Sequence, residues 1–197
     1  VVTSFVTIEE MEKCFINARA ATENILGLQK VWVLYDPNNT LNLLKQKALN
    51  FRWTKTLQIN ANEIANNLLM GWIEEVHKAL QGLISNDIGR MLNGLIGLTY
   101  GLFKVVSIQK GILLDGENSF YEKVTEYFGK ESKFTKLSEK AFGITTTKGL
   151  EERVIAGLLL FNEVTDELTD ILTDKEAINL VKMNIKRELM DMKVFIS

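Results

Sequence analysis

Three residue types are nearly absent from this chain of 197 residues, and their scarcity limits its chemistry. The single cysteine, Cys14, excludes an intramolecular disulfide framework and a cysteine-based zinc cluster. The single histidine, His77, leaves little basis for a histidine-rich metal site or a Ser-His-Asp triad. The single proline lies in one turn, at Pro37. Catalysis, if the chain performs any, must therefore depend on carboxylates and lysines.

Strong net charge and long apolar runs are also missing. A net charge of −2 gives no broad attraction for nucleic acid or an anionic membrane. No uninterrupted apolar run approaches the roughly 18 residues that a membrane-spanning helix needs. Because 46% of the residues are hydrophobic, the chain can still build a substantial core. We therefore expect a cytoplasmic protein with neither nucleic acid nor membrane as a partner.

The first 39 residues follow a strand–helix–strand pattern. Residues 1–7 alternate Val, Thr and Phe, which favours a strand, and residues 30–36 (KVWVLYD) are rich in β-branched and aromatic side chains. Between them, residues 7–26 predict a helix that ends at Gly27. A strand requires a partner strand, and the sequence starts in the middle of this pattern without Met or a signal-peptide pattern. We therefore expect a fragment of a longer protein.

After Asn39 the pattern is helical to the end of the chain. The amphipathic segments, several closed by glycine or opened by a capping residue, are 40–56, 60–84, 85–111, 116–129, 132–143, 147–172 and 173–196. The predicted fold class is mainly α. It comprises an antiparallel helical bundle over residues 40–197, preceded by the last strand–helix–strand of an α/β domain over residues 1–39.

The segment GWIEEVHKAL (71–80) carries the most concentrated set of ionisable residues. Glu74 and Lys78 stand four residues apart, and such a pair is a routine helix stabiliser worth roughly 0.2–0.5 kcal/mol. The functional alternative is a carboxylate base with a cation one turn away to hold a phosphate. His77 lies among them, and we expect it to be a surface residue.

Three glycines, Gly94, Gly97 and Gly101, are spaced along one predicted helix. Close packing of a second helix is the favoured interpretation, because each glycine costs about 1 kcal/mol of helix stability relative to alanine and needs a reason to be there. The functional alternative is that the missing side chains leave room for a ligand. In that case the ligand would be a substrate, and the residues that would contact it are Arg90, Asn93, Tyr100 and Lys104.

The order of these features resembles one enzyme family. A strand and acidic helix (VVTSFVTIEEMEKCF), a strand with a Tyr-Asp-Pro turn and helix (VWVLYDPNNTLNLLKQKA), and WIEEVHKAL about 35 residues later are similar to the C-terminal portion of the small-molecule nucleotidyltransferases of the DNA polymerase β superfamily. Kanamycin and lincosamide nucleotidyltransferases, which confer antibiotic resistance, belong to that group. Its members transfer a nucleoside monophosphate from a nucleoside triphosphate such as ATP to a hydroxyl of a small molecule, with magnesium held by an N-terminal domain.

This resemblance implies roles for individual residues. Glu74, or Glu75 if the correspondence is shifted by one, would be the catalytic base that deprotonates the acceptor hydroxyl. Lys78 would bind the nucleotide by neutralising phosphate charge. The active site of the kanamycin-type enzyme lies at a dimer interface, so the resemblance also implies a homodimer. The chain itself would contribute no metal ligands, and the Mg²⁺ and nucleoside triphosphate would be held mostly by residues outside it.

One departure limits the resemblance. The family's Gly-Ser and Asp-x-Asp signature has no copy in this sequence. The chain would thus be an enzyme only when joined to the missing N-terminal catalytic region, and we expect it to be inactive by itself. The alternative is a non-catalytic helical interaction or regulatory module.

Overall fold

The protein is mainly helical. The computed structural model describes residues 6–146 and 149–192, except for the side chain of Glu117, and these residues contain no strand. The α-helices are α1 (Ile8–Glu12), α2 (Ala18–Lys30), α3 (Thr40–Leu49), α4 (Lys55–Gly71), α5 (Ile73–Ser85), α6 (Ile88–Ile96), α7 (Leu102–Gln109), α8 (Phe120–Phe128), α9 (Lys133–Phe142), α10 (Leu150–Glu167) and α11 (Lys175–Asp191). A π-helical turn, Gly97–Gly101, joins α6 to α7.

The chain divides into two compact units. The first contains residues 1–65 and 107–127, and the second contains residues 66–106 and 128–197. The candidate site lies entirely in the second unit. The predicted division into residues 1–39 and 40–197 stays a prediction.

The predicted strand over residues 30–36 is not formed. Helix α2 continues past Gly27 to Lys30, and the chain then runs without regular structure to the turn before α3. This segment has no neighbouring strand among the described residues, and a single strand has no hydrogen-bonded ladder to stabilise it. The other predicted strand, residues 1–7, falls mostly outside the described residues, while Val6 and Thr7 are not in a strand.

Two polar side chains cap helices at this end of the chain. Thr7 and Glu10 form a capping box at the start of α1, with Thr7 N–H donating to the Glu10 carboxylate at 2.8 Å. Asp36, the acid of the Tyr-Asp-Pro turn, accepts hydrogen bonds from the backbone N–H groups of Thr40 and Asn42, each at 2.9 Å. The turn therefore starts α3 by satisfying donors that the helix itself leaves unpaired.

The first unit has a small apolar core. Cys14, Ala21 and Ile25 are buried, and Phe15, Phe51 and Trp53 are among the partly buried side chains that pack against them. The indole N–H of Trp53 donates to Gln58 at 2.9 Å, and the amide of Gln58 donates to the Gln109 carbonyl at 2.8 Å. These hydrogen bonds fix an aromatic residue whose polar atom would otherwise be unpaired.

The second unit is organised around α5 and the helix that runs from α6 through the π-helical turn. Leu98, Phe103 and Phe161 are among its fully buried side chains. The ring of Phe103 packs on Phe134 of α9 with centroids 5.2 Å apart. The helical stretch from Ile88 to Gln109 is long and apolar enough to cross a membrane. However, 72% of its most apolar part is buried inside the protein, as in the core helix of a globular protein.

Helix α11 buries an apolar seam. Ile178, Val181, Ile185 and Leu189 of this helix are all buried. The helix begins after Asp174, whose side chain accepts from the Ala177 N–H. Thr173 instead bonds the buried side chain of Asn66, whose carbonyl oxygen accepts from the Thr173 N–H at 3.0 Å.

Candidate functional site

Helix α5 presents two glutamates and one lysine as a connected group. Trp72 separates α4 from α5, so Glu74 and Glu75 fall in the first turn of α5. The Lys78 ammonium lies 2.8 Å from a carboxylate oxygen of Glu74 and 2.8 Å from one of Glu75. One cation therefore bridges two adjacent carboxylates, and the group has a net charge of −1.

The two glutamates differ in burial. The Glu74 side chain is 73% exposed, whereas the Glu75 side chain is 15% exposed. Glu75 is the less solvated carboxylate because its stem lies against Gly97 of the neighbouring helix, where an added Cβ would come within 2.4 Å of the Glu75 Cγ. Glu75, which the sequence offered as the alternative base, is therefore the glutamate enclosed between α5 and the neighbouring helix, whereas Glu74 faces solvent.

The ion pairs set the proton affinities of this group. Hydrogen bonding from Lys78 lowers the pKa of Glu74 below its ordinary value, and its positive charge acts in the same direction. The same contacts with Glu74 and Glu75 raise the pKa of Lys78. A lowered pKa makes Glu74 a weaker base while Lys78 stays in place, because proton transfer follows basicity.

The glycine series brings the π-helical turn against α5. A Cβ on Gly94 would lie 2.7 Å from the Ala79 backbone nitrogen, and one on Gly101 would lie 2.5 Å from the Trp72 ring. Close helix packing, the interpretation favoured from the sequence, is therefore what the structure shows at these positions. The space that could have held a ligand is filled by Trp72 and by the stem of Glu75.

The four candidate substrate contacts lie along the same helical stretch. Arg90 forms an ion pair with Asp87 at 3.5 Å, and Asn93 is exposed. Tyr100 is 56% exposed and packs edge-on against Phe142, with ring centroids 5.3 Å apart. Lys104 is partly buried. Their roles stay predictions.

Trp72 belongs to this site although no motif in the sequence singles it out. Its ring fills the space beside Gly97 and Gly101, and its indole Nε1 is buried without a hydrogen-bond partner. A buried donor without an acceptor is uncommon in proteins. The spacing of the glycines was the only sequence signal for this contact, and it did not indicate which residue would fill it.

The comparisons with known proteins add no relative. No family model, curated protein or solved structure matches this chain. No group of three or more His, Cys, Asp or Glu side chains within residues 6–146 and 149–192 is arranged to hold a metal ion.

Proposed function

We propose that this chain is the acceptor-binding helical part of a nucleotidyltransferase. In this proposal the complete enzyme transfers a nucleoside monophosphate from a nucleoside triphosphate to a hydroxyl of a small cationic molecule, such as an aminoglycoside. The observation that carries the proposal is the group formed by Glu74, Glu75 and Lys78, in which a partly buried carboxylate, an exposed carboxylate and a cation share one helix turn. The sequence resemblance implies the same roles for these positions.

Glu75 is the better candidate for the base. A hydroxyl attacks phosphorus more readily when a carboxylate accepts its proton. Glu75 combines burial with a position one residue from an exposed carboxylate, which would remain ionised and attract the cationic acceptor. Glu74 would then bind the acceptor while Glu75 accepts its proton.

Lys78 would pair with the two glutamates in the absence of nucleotide and with a phosphate group when nucleotide is bound. In the described protein its ammonium is neutralised by both glutamates. A nucleotide phosphate that approached this turn would compete for the ammonium, and charge neutralisation is the main contribution that a protein makes to such transfers. Release of Lys78 would also remove the hydrogen bond that lowers the pKa of Glu74. Nucleotide binding would thereby raise the pKa of Glu74 towards its ordinary value.

The exposed segment after α2 supports a larger protein. Trp32, Leu34 and Tyr35 are 87%, 94% and 81% exposed. Clusters of exposed large apolar side chains mark surfaces that bind a partner. We propose that this segment pairs as a strand in an α/β catalytic domain that also supplies the magnesium and nucleotide sites. This pairing is the finer fold prediction from the sequence.

Calorimetric titration with kanamycin tests the acceptor-binding part. We expect binding that Glu75→Gln and Glu74→Gln each weaken, and that Glu151→Gln, a change at an exposed acid in the first turn of α10, leaves unaltered. Lys78→Gln should strengthen binding, because it leaves both carboxylates without their cation. Absence of kanamycin binding, or equal weakening by Glu74→Gln, Glu75→Gln and Glu151→Gln, would count against the proposed acceptor site.

The gene sequence upstream tests the enzymatic part. A Gly-Ser and Asp-x-Asp signature in the same reading frame is expected. If it is present, Glu75→Gln in the full-length enzyme should abolish transfer while nucleotide binding persists. A reading frame without this signature would refute the enzymatic function and favour a helical interaction module.

A homodimer is part of the same proposal. Ile88, Leu92, Ile96 and Tyr100 recur every four residues on one helical stretch and are 62%, 49%, 60% and 56% exposed. Such a ridge is suited to pack against a second helix. In light scattering, we expect a dimer that Leu92→Glu dissociates and that Asn93→Glu, a control on the exposed neighbouring position, does not. A monomeric wild-type chain at micromolar concentration would refute the dimer for this chain.

A further inference from the structure

A groove between α10 and α11 is not explained by the proposed transfer. It has a volume of about 630 Å³ and is lined by Leu159, Asn162, Asn179, Lys182, Met183, Lys186 and Met190. This volume falls within the range of roughly 300–1,000 Å³ that is typical of small-molecule sites. The groove shares no residue with the site on α5.

One ion pair fixes how the two helices face each other. The Lys182 ammonium pairs with the Asp166 carboxylate. Asn162 lies one turn before Asp166, and Lys186 lies one turn after Lys182, so antiparallel helices place Asn162 and Lys186 at the same level. The next level along the groove is apolar, because Leu159 and Met190 line it. The groove therefore has a polar level followed by an apolar level.

Each of the two polar groups lacks a partner. The side-chain oxygen of Asn162 is buried and accepts no hydrogen bond. Leaving such an acceptor without a donor costs free energy. Lys186 is exposed and forms no ion pair with any residue in the described part of the chain. The Asn162 oxygen is closed to solvent, so a ligand donor reaches it only when the side chains that cover it move aside. A ligand that stabilises this level must make that donor contact and also offer a negative charge to Lys186.

The apolar side chains define the rest of the ligand. Met183 and Met190 are 66% and 56% exposed although they line the groove. Methionine side chains are flexible and adapt to irregular apolar ligands. An unbranched apolar chain that lay along them would remove both from water. The ligand is therefore amphiphilic, with its polar end at Lys186 and its apolar end towards Met190.

We propose that this groove binds an N-acylated amino acid or a similar small amphiphile. Its amide N–H donates to the Asn162 oxygen, its carboxylate pairs with Lys186, and its acyl chain covers Leu159, Met183 and Met190. None of the residues that line the groove is acidic, so none repels the ligand carboxylate. The two acids of α10 closest to Asn162 in sequence are already neutralised, because Asp166 pairs with Lys182 and Glu163 pairs with Lys133 at 2.8 Å.

Two matched probes test the donor. N-Lauroylglycine carries the amide N–H, and N-lauroylsarcosine replaces that hydrogen by a methyl group while keeping the chain and the carboxylate. Below their micellar concentrations, we expect calorimetry to show roughly tenfold tighter binding of N-lauroylglycine, because only this probe satisfies the buried acceptor. The comparison uses the unaltered full chain, so it does not depend on how a variant folds.

Variants and labels then locate the site. Asn162→Ala should remove the preference for N-lauroylglycine, and Lys186→Gln should weaken both probes two- to fivefold, about the range of an exposed ion pair. Lys175→Gln, on the same helix but outside the groove, is the matched control and should have no effect. With ¹³C-methyl-labelled methionine, N-lauroylglycine should shift the signals of Met183 and Met190.

Three results would overturn the proposal. The first is equal affinity of the two probes for the unaltered chain, which would indicate non-specific adsorption of an acyl chain. The second is binding that leaves the Met183 and Met190 signals unchanged. The third is an acidic amphipathic peptide that shifts those signals while N-lauroylglycine does not, because the groove would then be a protein-docking surface.

Discussion

Replacing Gly94 with alanine tests the helix packing on which the candidate site depends. A Cβ at this position would meet three atoms of α5 closer than 3.0 Å: the backbone nitrogen of Ala79 at 2.7 Å, its Cβ at 2.8 Å and the Glu75 carbonyl oxygen at 2.8 Å. Two of these atoms belong to the backbone, so a side-chain rotation cannot relieve the overlap. The helices must separate, and this shift would also move Glu75.

The magnitude follows from two opposing contributions. Overpacking a buried helix contact typically costs about 1–3 kcal/mol of stability. Because two of the obstructing atoms belong to the backbone, we expect the cost for Gly94→Ala to be about 3 kcal/mol. Alanine recovers about 1 kcal/mol of helix propensity relative to glycine. The net loss of about 2 kcal/mol in the free energy of unfolding corresponds to a Tm about 4–8 °C lower for a domain of this size.

Differential scanning calorimetry of Gly94→Ala and a matched control decides the question. Gly71→Ala is the control in the same unit, because nothing lies within 4 Å of the added Cβ. This variant should be unchanged or slightly more stable, since alanine favours the helix. If Gly94→Ala melts at or above the temperature of Gly71→Ala, the close approach of α5 to α6 is wrong.

Three further predictions concern local interactions. Asn66→Ala should lower the free energy of unfolding by about 1–3 kcal/mol, because it leaves the Thr173 N–H without its acceptor, whereas the same change at the exposed Asn67 should cost little in thermal denaturation. Cys14 is buried, and desolvation raises the pKa of its thiol from 9.0 to about 11. At pH 8 the folded chain therefore holds roughly a hundredfold less thiolate than the urea-unfolded chain, and its reaction with a disulfide reagent should be slower by at least about that factor. Because the folded pKa is raised, the contribution of this thiol to stability is present below pH 9 and is lost as the pH rises towards 11. Ser132→Ala should cost about 1 kcal/mol in urea denaturation, because the Ser132 hydroxyl caps the helix that follows it.

The helical content was predictable from the sequence because local signals determine it. Apolar residues at helical spacing, the Thr7 capping box and the buried seam of α11 all correspond to the observed structure. The same signals fail at Gly27, where α2 continues for three more residues to Lys30. Gly27 has a helical backbone with nothing within 4 Å of an added Cβ, and the next residue, Leu28, packs on the core of the first unit. Tertiary packing therefore overrode the glycine stop signal.

The strand over residues 30–36 shows a different limit. Its composition favours a strand, but a strand forms only when another segment accepts its hydrogen bonds. A strand-like composition is stable when a neighbouring strand covers its apolar side chains, and the described residues provide no such strand. Trp32 and Leu34 are therefore left 87% and 94% exposed. The sequence pattern thus remains informative about a partner even where the predicted element is absent.

The candidate site illustrates why spacing alone cannot choose a catalytic residue. The four-residue interval from Glu74 to Lys78 is visible in the sequence, and the structure confirms the ion pair. The same lysine also holds Glu75, which is three residues away and far more buried. Burial depends on Gly97, a residue of another helix whose contact with Glu75 no local pattern reveals. Because the enclosure of Glu75 depends on that contact, any change that separates α5 from α6 should expose Glu75 to solvent. Gly94→Ala should therefore alter the difference between Glu74→Gln and Glu75→Gln in kanamycin binding as well as lower stability.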